Sequence, residues 1–149
     1  MKITLEQAPL AEPEVCIRGE LGSPQVTALI AALQRAGGAG KMFLCREGKE
    51  YPVDPSDISF FEARASKVYA RTGGEDYEAG HKLYELCDWM RARGFVQISK
   101  SVVVNVNHIR SVEAEFSGNY TALLKDGRTR LTISRKYMKD FRKYVMEEK

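Results

Sequence analysis

From Lys41 to Ile133 the apolar residues fall in short runs broken by Gly-Gly, Ser-Gly-Asn and Asp-Gly, the pattern of strands joined by tight turns. KMFLCRE, a turn near Glu47-Gly48-Lys49 and EYPV read as a hairpin. Pro52 makes its second strand an edge, because proline lacks the N–H that a central ladder needs. Asp54-Pro55-Ser56-Asp57 then turns the chain into ISFFEARA and KVYART, and Gly73-Gly74 leads to a short strand at Tyr77–Ala79. FVQI, SVVVNV, IRSVEAEF, YTALL and RTRLTI follow, with turns at Ser117-Gly118-Asn119 and Asp126-Gly127. Asp-Gly between alternating strands is the strongest short hairpin signal.

Helical periodicity interrupts this pattern three times. Val26, Leu29, Ile30 and Leu33 form one apolar face behind a Ser23 cap and a Pro24 start. A helix from His81 to Arg91 places Leu83, Leu86, Cys87 and Met90 together, with Gly94 behind it. The last helix follows Ser134, a candidate cap, and carries Tyr137, Phe141, Tyr144 and Val145 on one face. Ahead of the first helix Val15-Cys16-Ile17-Arg18 reads as a short strand, and Gly37-Gly38-Ala39-Gly40 reads as a flexible joint. The expectation is a mainly β chain with short helices, in which a strand–helix appendage (residues 1–40) precedes the larger domain (41–149). Phe60, Trp89, Phe95, Tyr120 and the valine run Val102-Val103-Val104 are expected in its core, and Asn105 is expected to hold a turn through its side chain.

The 149 residues, 44% hydrophobic and 29% charged, exclude a disordered tail, a collagen-like fibre or a repeat array. No apolar run approaches the roughly 18 residues of a membrane span, and no signal peptide is legible at the N-terminus, so a cytoplasmic protein is expected. Cys16, Cys45 and Cys87 have no metal-ligand or redox spacing and read as buried reduced thiols; His81 and His108 sit in no metal motif. With no nucleophile elbow, phosphate-binding loop or dinucleotide fingerprint, no enzyme, cofactor or metal is expected. Charge is uneven: residues 1–89 carry 10 Lys/Arg against 14 Asp/Glu, and residues 90–149 carry 13 against 6. A basic C-terminal part points to a polyanion partner.

Four pieces then stand in a definite order: DISFFEA before a basic loop, DWMRARGF running into VQISKSVVVNVNHIRSV, the Asp126-Gly127 hairpin, and LTISRKYMKDFRK at the end. This order, over roughly residues 41–146, resembles the LytTR family of bacterial DNA-binding domains. The resemblance implies an elongated, multi-sheet β fold that reads double-stranded DNA with loops placed in successive major grooves, at paired direct repeats, and so a transcription regulator. It further implies a pair of copies in solution or on DNA, and a stand-alone member of the kind restrained by a small membrane protein.

The same resemblance places DNA contacts in three loops. The first holds Arg64, Ser66 and Lys67, where Lys67 suits a phosphate or guanine O6/N7; Val68 stands beside the position where some members carry histidine. The second is Ser99-Lys100-Ser101, whose hydroxyls and ammonium suit phosphate oxygens. The third is the start of the last helix: Arg135 lies where the family's main base-reading arginine lies, and Lys136 and Lys139 suit phosphates at a helix N-terminus. Two other readings fit the composition, a protein-interaction module with a basic face and a non-specific nucleic-acid-binding β module. No small-molecule substrate is indicated.

Overall fold

The computed structural model describes residues 1–10, 13–36 and 40–147, and divides the chain into two compact units, residues 1–33 and 34–149. Helix α1 (Pro24–Ala36), which begins in the first unit, starts as its sequence dictates: Val26 N–H donates to Ser23 Oγ at 3.3 Å, and the Thr27 hydroxyl donates to Ser23 O at 3.1 Å. Val26 is buried, while Ile30 and Leu33 on the same face are exposed. The strand expected at Val15-Cys16-Ile17-Arg18 does not form; this stretch pairs with no other strand, and one isolated run of alternating residues has no ladder to join. Of the expected glycine joint, residues 37–39 lie outside the described residues.

The second unit is built on a seven-stranded antiparallel sheet. Its strands are β1 (Met42–Arg46), β2 (Lys49–Val53), β3 (Ile58–Arg64), β4 (Lys67–Thr72), β5 (Glu75–Ala79), β6 (Phe95–Ser99) and β7 (Val102–Asn105), in the order β2-β1-β5-β4-β3-β7-β6. Pro52 does lie on an edge strand. The β1–β2 turn has Glu47 and Gly48 at φ 51° and 75°, and the β4–β5 turn has Gly73 and Gly74 at 60° and 78°, the paired positive values of a two-residue turn that follows strand twist. A second sheet holds β8 (Ile109–Ala114), β9 (Tyr120–Leu124) and β10 (Arg130–Ile133), in the order β10-β9-β8.

Two separate cores form on this framework. Met42, Leu44, Ile58, Phe61, Phe95 and Val103 pack with Leu86 in the middle of helix α2 (Leu83–Trp89) and with Met90 just beyond its end. Phe60, Val96, Ile98, Val102 and Val104 instead pack with Ala122, Leu124 and Ile133 of the small sheet and with Met138, Phe141 and Tyr144 of helix α3 (Arg135–Glu147). Consecutive residues therefore enter different cores, which explains why the valine run is continuously apolar rather than alternating. Val145, expected on the buried face of α3, is exposed, and Met138 takes the buried position beside Phe141.

Asn105 is 1% exposed and makes two bonds: its Nδ2 donates to Ile58 O and its Oδ1 accepts from Asn107 N–H, both at 3.0 Å. It thereby ties the end of β7 to the start of β3. Trp89 departs from expectation: it is 40% exposed, its ring edge-on to His81 at 5.3 Å, because Leu86 and Met90 take the inward positions and leave Trp89 at their flank. The thiols are free, but Cys16 and Cys45 are exposed and Cys87 is only partly buried. Cys45 alternates with the buried Leu44 on β1 and so faces outward. No helix among the described residues is long and apolar enough to cross a membrane, and no group of three metal-ligating side chains occurs among them.

Candidate nucleic-acid interface

The three basic loops converge at one end of the second unit, and named hydrogen bonds hold them there. The β3–β4 turn, Ala65-Ser66, closes the pair Arg64↔Lys67, with Ala65 at φ 55°. Ser101 O accepts from Ala63 N–H at 2.8 Å, so the β6–β7 turn carrying Lys100 lies beside that hairpin. Within the turn, Ser101 N–H donates to Ser99 Oγ at 3.3 Å, so the Ser99 hydroxyl serves the local backbone. Ile98 O in turn accepts from Ser134 N–H at 2.9 Å, which places the start of α3 at the same end of β6.

The α3 terminus is not capped by its own serine. Ser134 O accepts from Tyr137 N–H at 2.8 Å, but the side-chain acceptor at this end is Asn119 Oδ1, which takes Arg135 N–H at 3.1 Å. The β8–β9 turn is thereby fastened to the helix start. Gly118 (φ +91°) lies under the Arg135 side chain: a methyl group there would stand 3.4 Å from Arg135 Cδ and Nη1. Asn119 is the residue that sequence reasoning missed. Only its turn chemistry was legible, because the bond it makes spans 16 residues.

The charges at this end fall into two classes. The Arg64 guanidinium is already engaged, with Nε on Glu62 Oε1 and Nη2 on Asp76 Oδ2, both at 2.9 Å, and it lies 4.9 Å over the Tyr69 ring. Asp76 also accepts from Arg71 Nε at 2.6 Å. Burial acts to raise the Asp76 carboxyl, but the hydrogen bonds from Arg71 and Arg64 outweigh it and hold the group below its usual value. Lys67 stands 3.6 Å from Glu78 Oε1, with both side chains largely exposed, a pairing that contributes little. Lys100, Arg135, Lys136 and Lys139 are exposed and form no ion pair with the described residues. Ser66 is exposed at its hairpin tip, and Ser101 is half-buried.

An exposed, unpaired cation cluster on paired loops and a helix N-terminus can take a polyanion without first breaking internal salt bridges. The family model described as the LytTr DNA-binding domain matches residues 48–146, well over half of the chain. The chain belongs to the LytTR family. Over 90 residues it is 31% identical to the transcriptional regulatory protein YpdB of Escherichia coli K12, and over 93 residues 26% identical to the sensory transduction protein LytT of Bacillus subtilis. These matches cover 60% and 62% of this chain but 37% and 38% of those proteins, so the LytTR chain described here spans well under half the length of its curated relatives. The fold agrees with the solved LytTr DNA-binding domain of a methyl-accepting/DNA response regulator from Bacillus cereus. That match has a TM-score of 0.67 and 24% identity and covers 72% of this chain and 98% of that one. All three candidate LytTR loops lie inside the matched segment.

Proposed function

We propose that this LytTR chain reads promoter DNA sequence-specifically at paired direct repeats, with the α3 start as its main base-reading element and the β6–β7 turn as its main phosphate anchor. The observation that carries this is the unpaired cluster of Lys100, Arg135, Lys136 and Lys139, gathered by the Ser134–Ile98 and Asn119–Arg135 hydrogen bonds. Arg135 is assigned to a base edge, where a planar guanidinium binds guanine through two bonds. Lys100, Lys136 and Lys139 are assigned to phosphates, with Ser101 and Ser66 as lesser hydroxyl contacts. In the first loop Lys67 is the DNA-facing cation. Arg64 acts through the hairpin: held by Glu62 and Asp76, it fixes the tip on which Lys67 stands.

The test is an anisotropy titration of the chain against its own upstream region and a scrambled duplex at two salt concentrations. The four phosphate-facing lysines, Lys67, Lys100, Lys136 and Lys139, correspond to a log–log slope of about −3.6, which weakens binding roughly two orders of magnitude between 50 and 200 mM salt. The expected result is that slope together with at least about a thousandfold preference for the upstream duplex. Equal affinity for both duplexes would overturn sequence reading and favour the non-specific module.

A further inference from the structure

The β8–β9 turn holds one feature that a polar hairpin tip does not need. Phe116 is fully exposed, the most exposed large apolar side chain among the described residues. It stands in a well-tied turn. Glu115 N–H donates to Asn119 O at 2.9 Å, Gly118 N–H donates to Glu115 O at 3.2 Å, and Asn119 N–H donates to Ser117 Oγ at 3.3 Å. Two residues beyond Phe116, Gly118 supports the Arg135 side chain, and three beyond it Asn119 caps α3. Two residues of chain span at most about 7 Å. Any duplex seated against Arg135 therefore comes within side-chain reach of Phe116.

We propose that Phe116 is a fourth DNA contact, an apolar one, made to base or deoxyribose in the groove beside the one Arg135 enters. This rests on the DNA-binding reading above and adds to it a contact that carries no charge. The electrostatics of the turn favour that chemistry. Glu115 is turned back onto the Thr121 hydroxyl at 2.7 Å, and Glu113 is exposed on β8, so the turn presents carboxylates and no cation of its own. Such a tip makes no ion pair with phosphate, and its largest exposed surface is the apolar Phe116 ring. Aromatic and aliphatic side chains placed against base steps are a recurring way of holding a bent duplex.

The test uses the full chain with the substitutions Phe116→Ala and Phe116→Lys, titrated on a duplex trimmed to a single footprinted site so that contacts between protein copies are excluded. Phe116 packs against nothing in the fold, so both variants are expected to unfold at the wild-type urea concentration. Phe116→Ala should bind about tenfold more weakly, the scale of one lost aromatic–base contact, with an unchanged salt slope because no charge is removed. Phe116→Lys should steepen the slope by about 0.9, reporting one added phosphate contact. Wild-type affinity for Phe116→Ala overturns the proposal, even where Phe116→Lys steepens the slope, since the tip would then lie near DNA without contributing. An unchanged slope for Phe116→Lys also overturns it. Arg135→Ala in the same series separates the two readings. If wild type shows no preference for its site, the DNA-reading proposal fails. If wild type is selective and Arg135→Ala is not, while Phe116→Ala binds normally, only the present inference fails.

Discussion

Asn119 joins folding and recognition at a single atom, so substituting it should separate the two. Asn119→Ala removes the acceptor that Arg135 N–H uses at 3.1 Å. Losing a side-chain cap costs about 1 kcal/mol, and because this bond is exposed, water recovers part of it, leaving a cost near the lower end, about 0.5–1 kcal/mol. With a urea dependence of about 1.5 kcal/mol per molar for a domain of this size, the unfolding midpoint falls by roughly 0.5 M. If the DNA complex requires an ordered first turn in α3, the same free energy appears in binding as about two- to fivefold weaker affinity. Asn119→Asp keeps the acceptor and sets a negative charge at a helix N-terminus, which adds about 0.3–1 kcal/mol to stability. That charge also stands beside Arg135 and the lysines of α3, where it offsets one phosphate contact and lowers the salt slope by about 0.9. The aspartate variant should therefore fold more stably and bind DNA more weakly. Urea unfolding and anisotropy on the same preparations give both numbers. Stability and affinity moving together in Asn119→Asp, or an unchanged midpoint in Asn119→Ala, would refute the cap as the link.

Three further outcomes follow from the geometry. Arg135→Ala should lose about 1–3 kcal/mol on the specific duplex and far less on random DNA, whereas Lys100→Ala should weaken both evenly and lower the salt slope by about 0.9; parallel losses in the two variants would remove the distinction drawn between them. Asn105→Ala removes the bonds that its side chain makes to Ile58 O and to Asn107 N–H at a buried site. This should cost about 3 kcal/mol in urea unfolding while the salt slope of the remaining folded protein stays the same; a loss below about 1 kcal/mol would contradict its tethering role. The Asp126 carboxyl is lowered from 3.8 to about 2, first by the Thr129 hydroxyl and then by the backbone N–H groups of Thr129 and Arg128. Its ionised form is favoured by the fold, so its contribution is present above the unfolded value and is lost as pH falls from about 4 through 2. Asp126→Asn should lose less stability than wild type across that window, and superimposable acid-unfolding curves would count against it.

The hairpins and the buried strands were legible because their signals are local. Turn pairs such as Gly73-Gly74 and Asp126-Gly127 carry their own backbone geometry, and the valine run announces a strand buried on both sides. Features that depend on partners distant in sequence were not legible. Arg64 reads as a free DNA cation until β5 brings Asp76 against it across the sheet. Ser134 reads as the α3 cap until Asn119 arrives from another hairpin and takes that role. Trp89 has the composition of a core residue, but the buried face here is set by Leu86 and Met90, and the indole falls at its flank, against His81. The strand expected at Val15–Arg18 failed for the opposite reason: its propensity was local and no partner strand supplied a ladder.

The placement of β3, β6 and β7 between two cores has a consequence for how this protein meets DNA. Phe61, Phe95 and Val103 are held from one side, and Phe60, Val96 and Val104 from the other. Amide hydrogens along these strands should therefore exchange only through global unfolding, with protection falling away sharply over Ser99–Ser101. The Lys100 tip leaves strands that are packed on both faces, so most of the entropy of ordering it has been lost before any encounter. Association then draws on aligning two bodies, and its rate is set by electrostatic steering rather than by loop closure. Residues at the tips are correspondingly decoupled from folding, so exchanging Arg135 for other side chains should shift which sequence is chosen, and exchanging Lys100 should change affinity for all duplexes alike, while the scaffold beneath stays as it is.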